Sequence, residues 1–144
     1  MRASEICIKK LKAFEALRTE AYYDPAGVLT IGYGHTGPDV SPGDVISEYW
    51  AEHLLRADLY ETEKAVDELD VAKTQGQFDA LVSFAYNLGI NRLRTSSLLK
   101  TIREGGNMRA IKREFKKWVH AGNKTLRGLE TRRAWEAERF FEIL

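Results

Sequence analysis

An α+β fold, with a mostly helical lobe and a small antiparallel sheet lobe joined by a long helix, is predicted by three features of the sequence. Apolar spacing switches from a helical period to strict alternation around Asp24-Pro25-Ala26-Gly27. A single long apolar stripe follows over residues 47–69, and the rest of the chain is a series of helix-period runs broken at glycines.

The first helix carries Cys7, Leu11 and Phe14 on one face. Glu15 stands four residues after Leu11, so its carboxylate lies at the edge of that face, near the expected helix end. Partial loss of water there raises a carboxyl pKa, as a general acid near neutral pH requires. An exposed ion pair with Arg18, three residues on, is the alternative reading.

Asp24 to Gly27 has turn chemistry: a carboxylate able to bond its own backbone, a proline that presets φ and a glycine free to take positive φ. Beyond it Leu29, Ile31 and Tyr33 alternate with Val28, Thr30 and Gly32, which predicts a hairpin with Thr30 turned away from the bulky apolar set. Folding back brings Asp24 and Thr30 toward each other. A helix-end glutamate facing an aspartate and a hydroxyl suits glycosidic cleavage, in which one carboxylic acid protonates the leaving oxygen and a second carboxylate activates water or attacks the sugar. Taken alone, Asp24 is also an ordinary turn aspartate.

Gly37-Pro38-Asp39 and Ser41-Pro42-Gly43-Asp44 should end the sheet. Ser47 can cap the long helix, whose stripe is Ala51, Leu55, Leu59, Thr62, Val66 and Leu69, with Glu48, Glu52, Arg56, Glu63 and Lys64 opposite. A cleft between the lobes it joins would suit a polymer. Phe78, Leu81, Val82, Phe84, Ala85 and Leu88 surround most of a buried helix that stops at Gly89. A short helix from Ser97 to Arg103 ends at Gly105-Gly106, and another from Asn107 places Met108, Ile111, Phe115, Trp118 and Val119 on one face. The last helix begins near Gly128, with Ala134, Ala137, Phe141 and Leu144 on its inner side.

At 144 residues the chain is expected to be one domain, 1–144, with the sheet lobe at about 19–46. The single cysteine, Cys7, has no internal disulfide partner and is expected to be buried. No apolar run approaches the ~20 residues of a membrane span, and the start lacks the apolar segment of a signal peptide, so no stable membrane insertion is expected and the product should be made in the cytoplasm. Residues 1–90 hold 8 Lys+Arg against 15 Asp+Glu, whereas residues 91–144 hold 14 against 6. The basic half lacks nucleic-acid-binding spacings and its aromatics fall at helical core positions, so attraction to an anionic envelope polymer, or simple pairing with the acidic half, is expected rather than nucleic-acid binding. His35, His53 and His120 lack metal-ligand spacing. His35, just past Gly32-Tyr33-Gly34, is read as tying the sheet to a neighbouring acid or backbone group, His53 as lying on the polar side of the long helix, and His120 as lying near a helix end.

Glu15, eight residues, Asp24, five residues, Thr30 and then Ile31-Gly32-Tyr33-Gly34-His35-Thr36 resemble the signature of the phage lysozymes, or endolysins, of glycoside hydrolase family 24. QFDALVSFAYNLG and RGLETRR resemble further blocks of the same family, so the resemblance spans roughly the whole chain. It implies a lysozyme-like fold and hydrolysis of the β-1,4 bond between N-acetylmuramic acid and N-acetylglucosamine in peptidoglycan. It also implies Glu15 as general acid, and Asp24 and Thr30 holding the attacking water in an inverting mechanism, with no metal and no cofactor. A threonine hydroxyl is too weak a base to act alone, so Thr30 would orient water while Asp24 supplies charge and basicity. Tyr86 and Asn87 match family positions that face the cleft, which Thr36 and Ser97 would also line as substrate contacts; core packing is the alternative reading of Tyr86. Arg132 or Arg133 is expected to approach Glu15. The family's usual residue after the glutamate is glycine, and here it is Ala16. A monomer, synthesis in the host cytoplasm and passage to the cell wall through a holin complete what the resemblance implies. The competing readings are a lytic transglycosylase, which would need neither Asp24 nor Thr30, and a peptidoglycan-binding or structural virion module without turnover.

Overall fold

The computed structural model describes residues 1–143. In chain order the elements are α1 (Glu5–Glu15), β1 (Arg18–Tyr23), β2 (Leu29–Gly32), β3 (His35–Thr36), α2 (Glu48–Leu69), α3 (Gln75–Leu88), α4 (Ile90–Thr95), α5 (Ser97–Arg103), α6 (Met108–Lys116), β4 (His120–Ala121), β5 (Lys124–Thr125) and α7 (Arg127–Phe140). They form two compact units, Ile8–Tyr60 and Met1–Cys7 with Glu61–Leu144.

In the unit Ile8–Tyr60, β1, β2 and β3 make an antiparallel sheet in that order, with Tyr22 opposite Thr30 and Thr30 opposite Thr36. The sheet ends before Gly37, as the turn residues predict, apart from a bridge between Glu20 and Val45. At Gly32, φ is 70°, and a Cβ there would meet the Ala51 side chain at 3.3 Å and Ile46 at 3.4 Å. The missing side chain therefore lets the end of β2 lie against the start of α2. Ser47 caps α2 as expected, its Oγ accepting from Trp50 N at 3.0 Å. Ala51, Leu55 and Leu59 are buried along one stripe.

In the other unit α3 packs most extensively on α7 and also on α4, while α6 packs on α7 and on α5. Phe78, Leu81, Val82 and Phe84 of α3 are fully buried. Phe84 meets Phe115 and Trp118 edge-on at 5.9 and 5.6 Å, so the aromatics form one connected core. Thr74 caps α3, and Gly89 at φ 95° stops it with its N–H on Ala85 O.

Several expectations are corrected here. Glu63, assigned to the solvent face of α2, is 3% exposed, because it stands four residues after Leu59 and the N-terminal segment covers it. Its carboxylate accepts from Arg2 Nε at 3.0 Å and Ala3 N at 2.6 Å. Met108 is exposed, since it sits in the first turn of α6, ahead of the residues that pack. That helix stops at Lys116, so Trp118 and Val119 lie beyond it, and His120, four residues past its end, falls in β4 of a small β4–β5 hairpin. The short α4 also had no sequence signal of its own.

The inner side of α7 differs most from expectation. Ala134 is exposed, and with Ala137 and Phe140 the buried residues are Arg132, Arg133, Glu136 and Arg139. Phe141 is half-buried and Leu144 lies outside the described residues. Apolar counting misplaced this face because its charges are matched inside the unit. Arg139 donates to the buried Asp79 from Nε at 3.0 Å and from Nη2 at 2.8 Å, and Asp79 also accepts from Ser4 N at 3.0 Å and Gln75 Nε2 at 2.8 Å. Cys7 is buried as expected, and burial together with the Asp79 charge pushes its thiol pKa well above the ordinary value.

Candidate active site

Glu15 is the last residue of α1 and is half-buried. Ala16 follows at φ 56°, its N–H on Lys12 O at 3.0 Å. This is the left-handed residue that ends many helices, a conformation that suits glycine and costs an L-residue free energy. A physical reason thus stands behind the glycine usual at this position. Gly34, also at positive φ (88°), lies so that a Cβ would sit 3.3 Å from Glu15 Oε2. Any side chain at 34 would be both strained and pressed on the carboxylate. Gly34 is therefore part of the setting of Glu15, a role that its place in the turn between β2 and β3 hid in the sequence.

Asp24 and Thr30 are tied to the same residue, Val28. Oδ1 of Asp24 accepts from Ala26 N at 2.9 Å and Val28 N at 2.8 Å, which makes it the turn aspartate its neighbours suggested. Thr30 Oγ1 donates to Val28 O at 2.9 Å. Because Tyr22, Thr30 and Thr36 are direct cross-strand neighbours, they share one sheet face, and Asp24, two residues after Tyr22, follows on that side. Thr30 is 4% exposed and Thr36 is exposed. Tyr22 stands beside Thr30 with the Arg18 guanidinium 4.1 Å above its ring. Strand parity with Asp24 was the signal that would have found it.

His35 is held from both sides, Nδ1 at 2.8 Å from Asp58 of α2 and Nε2 at 2.9 Å from Asp39. Burial alone would lower its pKa, but hydrogen bonds to the two carboxylates outweigh that and raise it. The same burial raises Asp58, whereas the exposed Asp39 is lowered by its bond to His35. His35 thus fastens the sheet to α2, as its position after Gly34 suggested. His53 is exposed and stacks on Trp50 with ring centroids 4.7 Å apart.

The fold brings Glu15, Asp24, Thr30 and Thr36 into one compact unit, while Tyr86, Asn87 and Ser97 belong to the other. Tyr86 is half-buried, and Asn87 is exposed with Oδ1 accepting from Arg133 Nη2 at 2.9 Å. Ser97 is exposed, donates to Glu114, and lines a groove of about 520 Å3 with Arg94, Lys100 and Arg103. Arg132 donates to Ser83 O at 3.0 Å and pairs with Glu136 at 3.4 Å. Arg133 pairs with Glu136 at 2.8 Å. Burial holds the Arg133 pKa below the ordinary arginine value and pushes Glu136 up. Among the described residues no group of three or more His, Cys, Asp and Glu side chains is arranged to hold a metal ion.

Residues 12–136 match the family model for phage lysozyme. An endolysin of Bacillus phage B103 is 48% identical over 143 residues, covering 97% of this chain and 54% of the relative. The chain thus spans about half the length of that curated relative and of a second from Bacillus phage PZA. Among solved structures, the endolysin from Escherichia coli O157:H7 phage FAHEc1 superposes with a TM-score of 0.89 at 36% identity, covering 100% of this chain and 96% of that one. The muramidase domain of SpmX from Asticaccaulis excentricus gives 0.87 at 34% identity, covering 98% of each chain. With its helix-end glutamate, its hairpin aspartate and threonine, and these matches along nearly its whole length, the chain belongs to the phage lysozyme family.

Proposed function

We propose that this chain is a single catalytic domain that hydrolyses the β-1,4 bond between N-acetylmuramic acid and N-acetylglucosamine in bacterial peptidoglycan. The anchoring of Asp24 and Thr30 on Val28, in the unit that holds Glu15 at the end of α1, carries this reading. Glu15 is the general acid that protonates the glycosidic oxygen. Thr30 commits its hydroxyl proton to Val28 O, so its lone pairs can only accept from water. Asp24 spends Oδ1 on two turn N–H groups, and Oδ2, with no partner among the described residues, is left to take a water proton. Water held by these two groups attacks from the face opposite Glu15, which inverts the sugar. Gly34 leaves room for the Glu15 carboxylate.

Tyr86, Asn87, Thr36 and Ser97 are proposed substrate contacts. Thr36, Asn87 and Ser97 are exposed, so their polar groups are accessible to sugar hydroxyls and amides, and Tyr86 is half-buried. The protein acts as a monomer, is synthesised in the host cytoplasm, reaches the wall through a holin and brings about lysis. Among the described residues no helix is long and apolar enough to cross a membrane.

Turbidity of outer-membrane-stripped cells tests the reading. Wild type clears the suspension, and Glu15→Gln of matched circular dichroism slows clearing by about 10²- to 10⁴-fold, the usual share of general acid catalysis. Near-normal clearing by Glu15→Gln removes Glu15 from the chemistry. A new reducing end in the products distinguishes hydrolysis from transglycosylation, which leaves an anhydro sugar.

A further inference from the structure

Arg133 has no exposed surface, yet it reaches out of the core to an exposed residue. Its Nε lies 2.8 Å from Glu136 Oε1 and its Nη2 lies 3.0 Å from Glu136 Oε2. The guanidinium packs 5.1 Å from the centre of the Phe84 ring. Nη2 also donates to Asn87 Oδ1 at 2.9 Å, whereas Nη1 and, despite its approach to Glu136 Oε1, Nε make no hydrogen bond among the described residues. Buried N–H groups normally find acceptors, so a guanidinium that leaves Nε and Nη1 without hydrogen bonds while Nη2 serves both Glu136 and Asn87 is oriented by those two residues rather than by its own hydrogen-bond satisfaction.

That bond dictates the other half of the Asn87 amide. A guanidinium carries donors alone, so the amide oxygen must face Arg133, and the reverse orientation would set donor against donor. The NH2 group is therefore turned away from Arg133 on an exposed side chain at the end of α3. An amide locked this way turns its two N–H donors outward and its oxygen toward Arg133.

We propose that Arg133 is a positioning residue that locks Asn87 as a pure donor, and that Asn87 reads an amide carbonyl of the glycan. This rests on the wall-glycan reading above. The carbonyl is that of an acetamido group or of a stem peptide, and the chemistry is shared. Arg133 itself touches no substrate, and its part is to make Asn87 select an acceptor over a donor.

Asn87→Asp separates this role from a merely structural one. The carboxylate keeps an acceptor for Arg133 and strengthens that bond by charge, but it replaces the outward NH2 with oxygen. If the Arg133–Asn87 bond serves only to join α7 to α3, Asn87→Asp is as stable as wild type and binds and cleaves equally well. If Asn87 reads a carbonyl, the variant is as stable but loses about 5- to 10-fold in glycan affinity and in KM, with kcat changed by less than about twofold, the loss of one hydrogen bond made in ground and transition states alike. Binding is followed by NMR titration with a chitooligosaccharide, which has only acetamido carbonyls, and with a peptide-bearing muropeptide glycan. A loss with both ligands assigns the acetamido carbonyl, and a loss with the second alone assigns the stem peptide. Arg133→Lys, which keeps a cation for Glu136 but cannot hold the amide in the same way, should raise KM in the wild-type background and leave it unchanged in Asn87→Ala. Equal binding of both ligands by wild type and Asn87→Asp overturns the proposal while the wall reading stands. Wild type that binds neither ligand overturns both.

Discussion

In the helical unit Asp79 has no exposed surface and faces the guanidinium of Arg139, whereas in the unit Ile8–Tyr60 Asp24 is half-buried and accepts from the N–H groups of its own turn. Burial beside a fixed cation removes Asp79 from water and leaves its oxygens committed to Arg139, Ser4 and Gln75. Local backbone bonds instead hold Asp24 in place with one oxygen and leave the other toward solvent. The carboxylate that holds the core and the one proposed for the chemistry thus differ in what they bond to rather than in residue type. Glu136, like Asp79, is fully buried and locked between two arginines.

The contrast breaks if the two aspartates respond alike to substitution. Asp79→Ala removes the buried partner of Arg139, leaving it paired with the exposed Glu142, and should cost about 3 kcal/mol in denaturant unfolding. Asp24→Asn keeps the oxygen that organises the turn, so it should cost less than about 1 kcal/mol while abolishing most cell clearing. A large stability loss in Asp24→Asn, or a small one in Asp79→Ala, ends the distinction.

The next largest effect tests how tightly the helical unit closes over its charges. A Cβ at Gly76 would lie 2.3 Å from Arg139 O and 2.6 Å from Glu142 O, both backbone atoms that cannot step aside alone. Gly76→Ala should therefore cost about 3 kcal/mol in the same unfolding assay. A cost below about 1 kcal/mol would show that α3 and the end of α7 yield more readily than this geometry allows.

The His35 cluster sharpens the comparison through pH. Because the folded-state pKa is raised above the unfolded value, the imidazolium's pairing with Asp58 and Asp39 contributes fully below about pH 6.5 and is lost as pH rises through the folded pKa. Thermal unfolding of wild type should converge on that of His35→Asn as pH is raised from 6 to 9, and parallel profiles would exclude a charged pair. The contribution also fades in acid, once the two carboxylates are protonated. Ala16→Gly should give the smallest change, a gain of about 1 kcal/mol from relieving the left-handed alanine beside Glu15, read as a higher unfolding midpoint. No gain would mean that Ala16 sits there without strain.

Local chemistry in the chain was enough to place α1, the hairpin, α2, α3 and α5, because each is announced by period, turn residues or a cap within a few positions. Ser47, Thr74, Gly89 and the Asp24–Gly27 turn all do in the fold what their residue types suggest. Glu15, Asp24 and Thr30 were also legible, since their spacing along one short stretch already puts them on a helix end and a hairpin. Nothing local announces the partner of a buried charge. Glu63 looked solvent-facing until Arg2 and Ala3, sixty residues earlier, covered it, and the inner side of α7 looked like alanines until Asp79 and Ser83 supplied partners for its arginines. An arginine reads as surface by type because burying its charge alone is prohibitively costly, and only the tertiary structure decides whether a carboxylate waits at the other end. Sequence therefore determined most of the elements, though not α4 or the β4–β5 hairpin, and the candidate chemistry, which rest on neighbours in the chain. Tertiary packing decided which charges are structural and which way Asn87 faces, because those depend on residues brought together from distant segments.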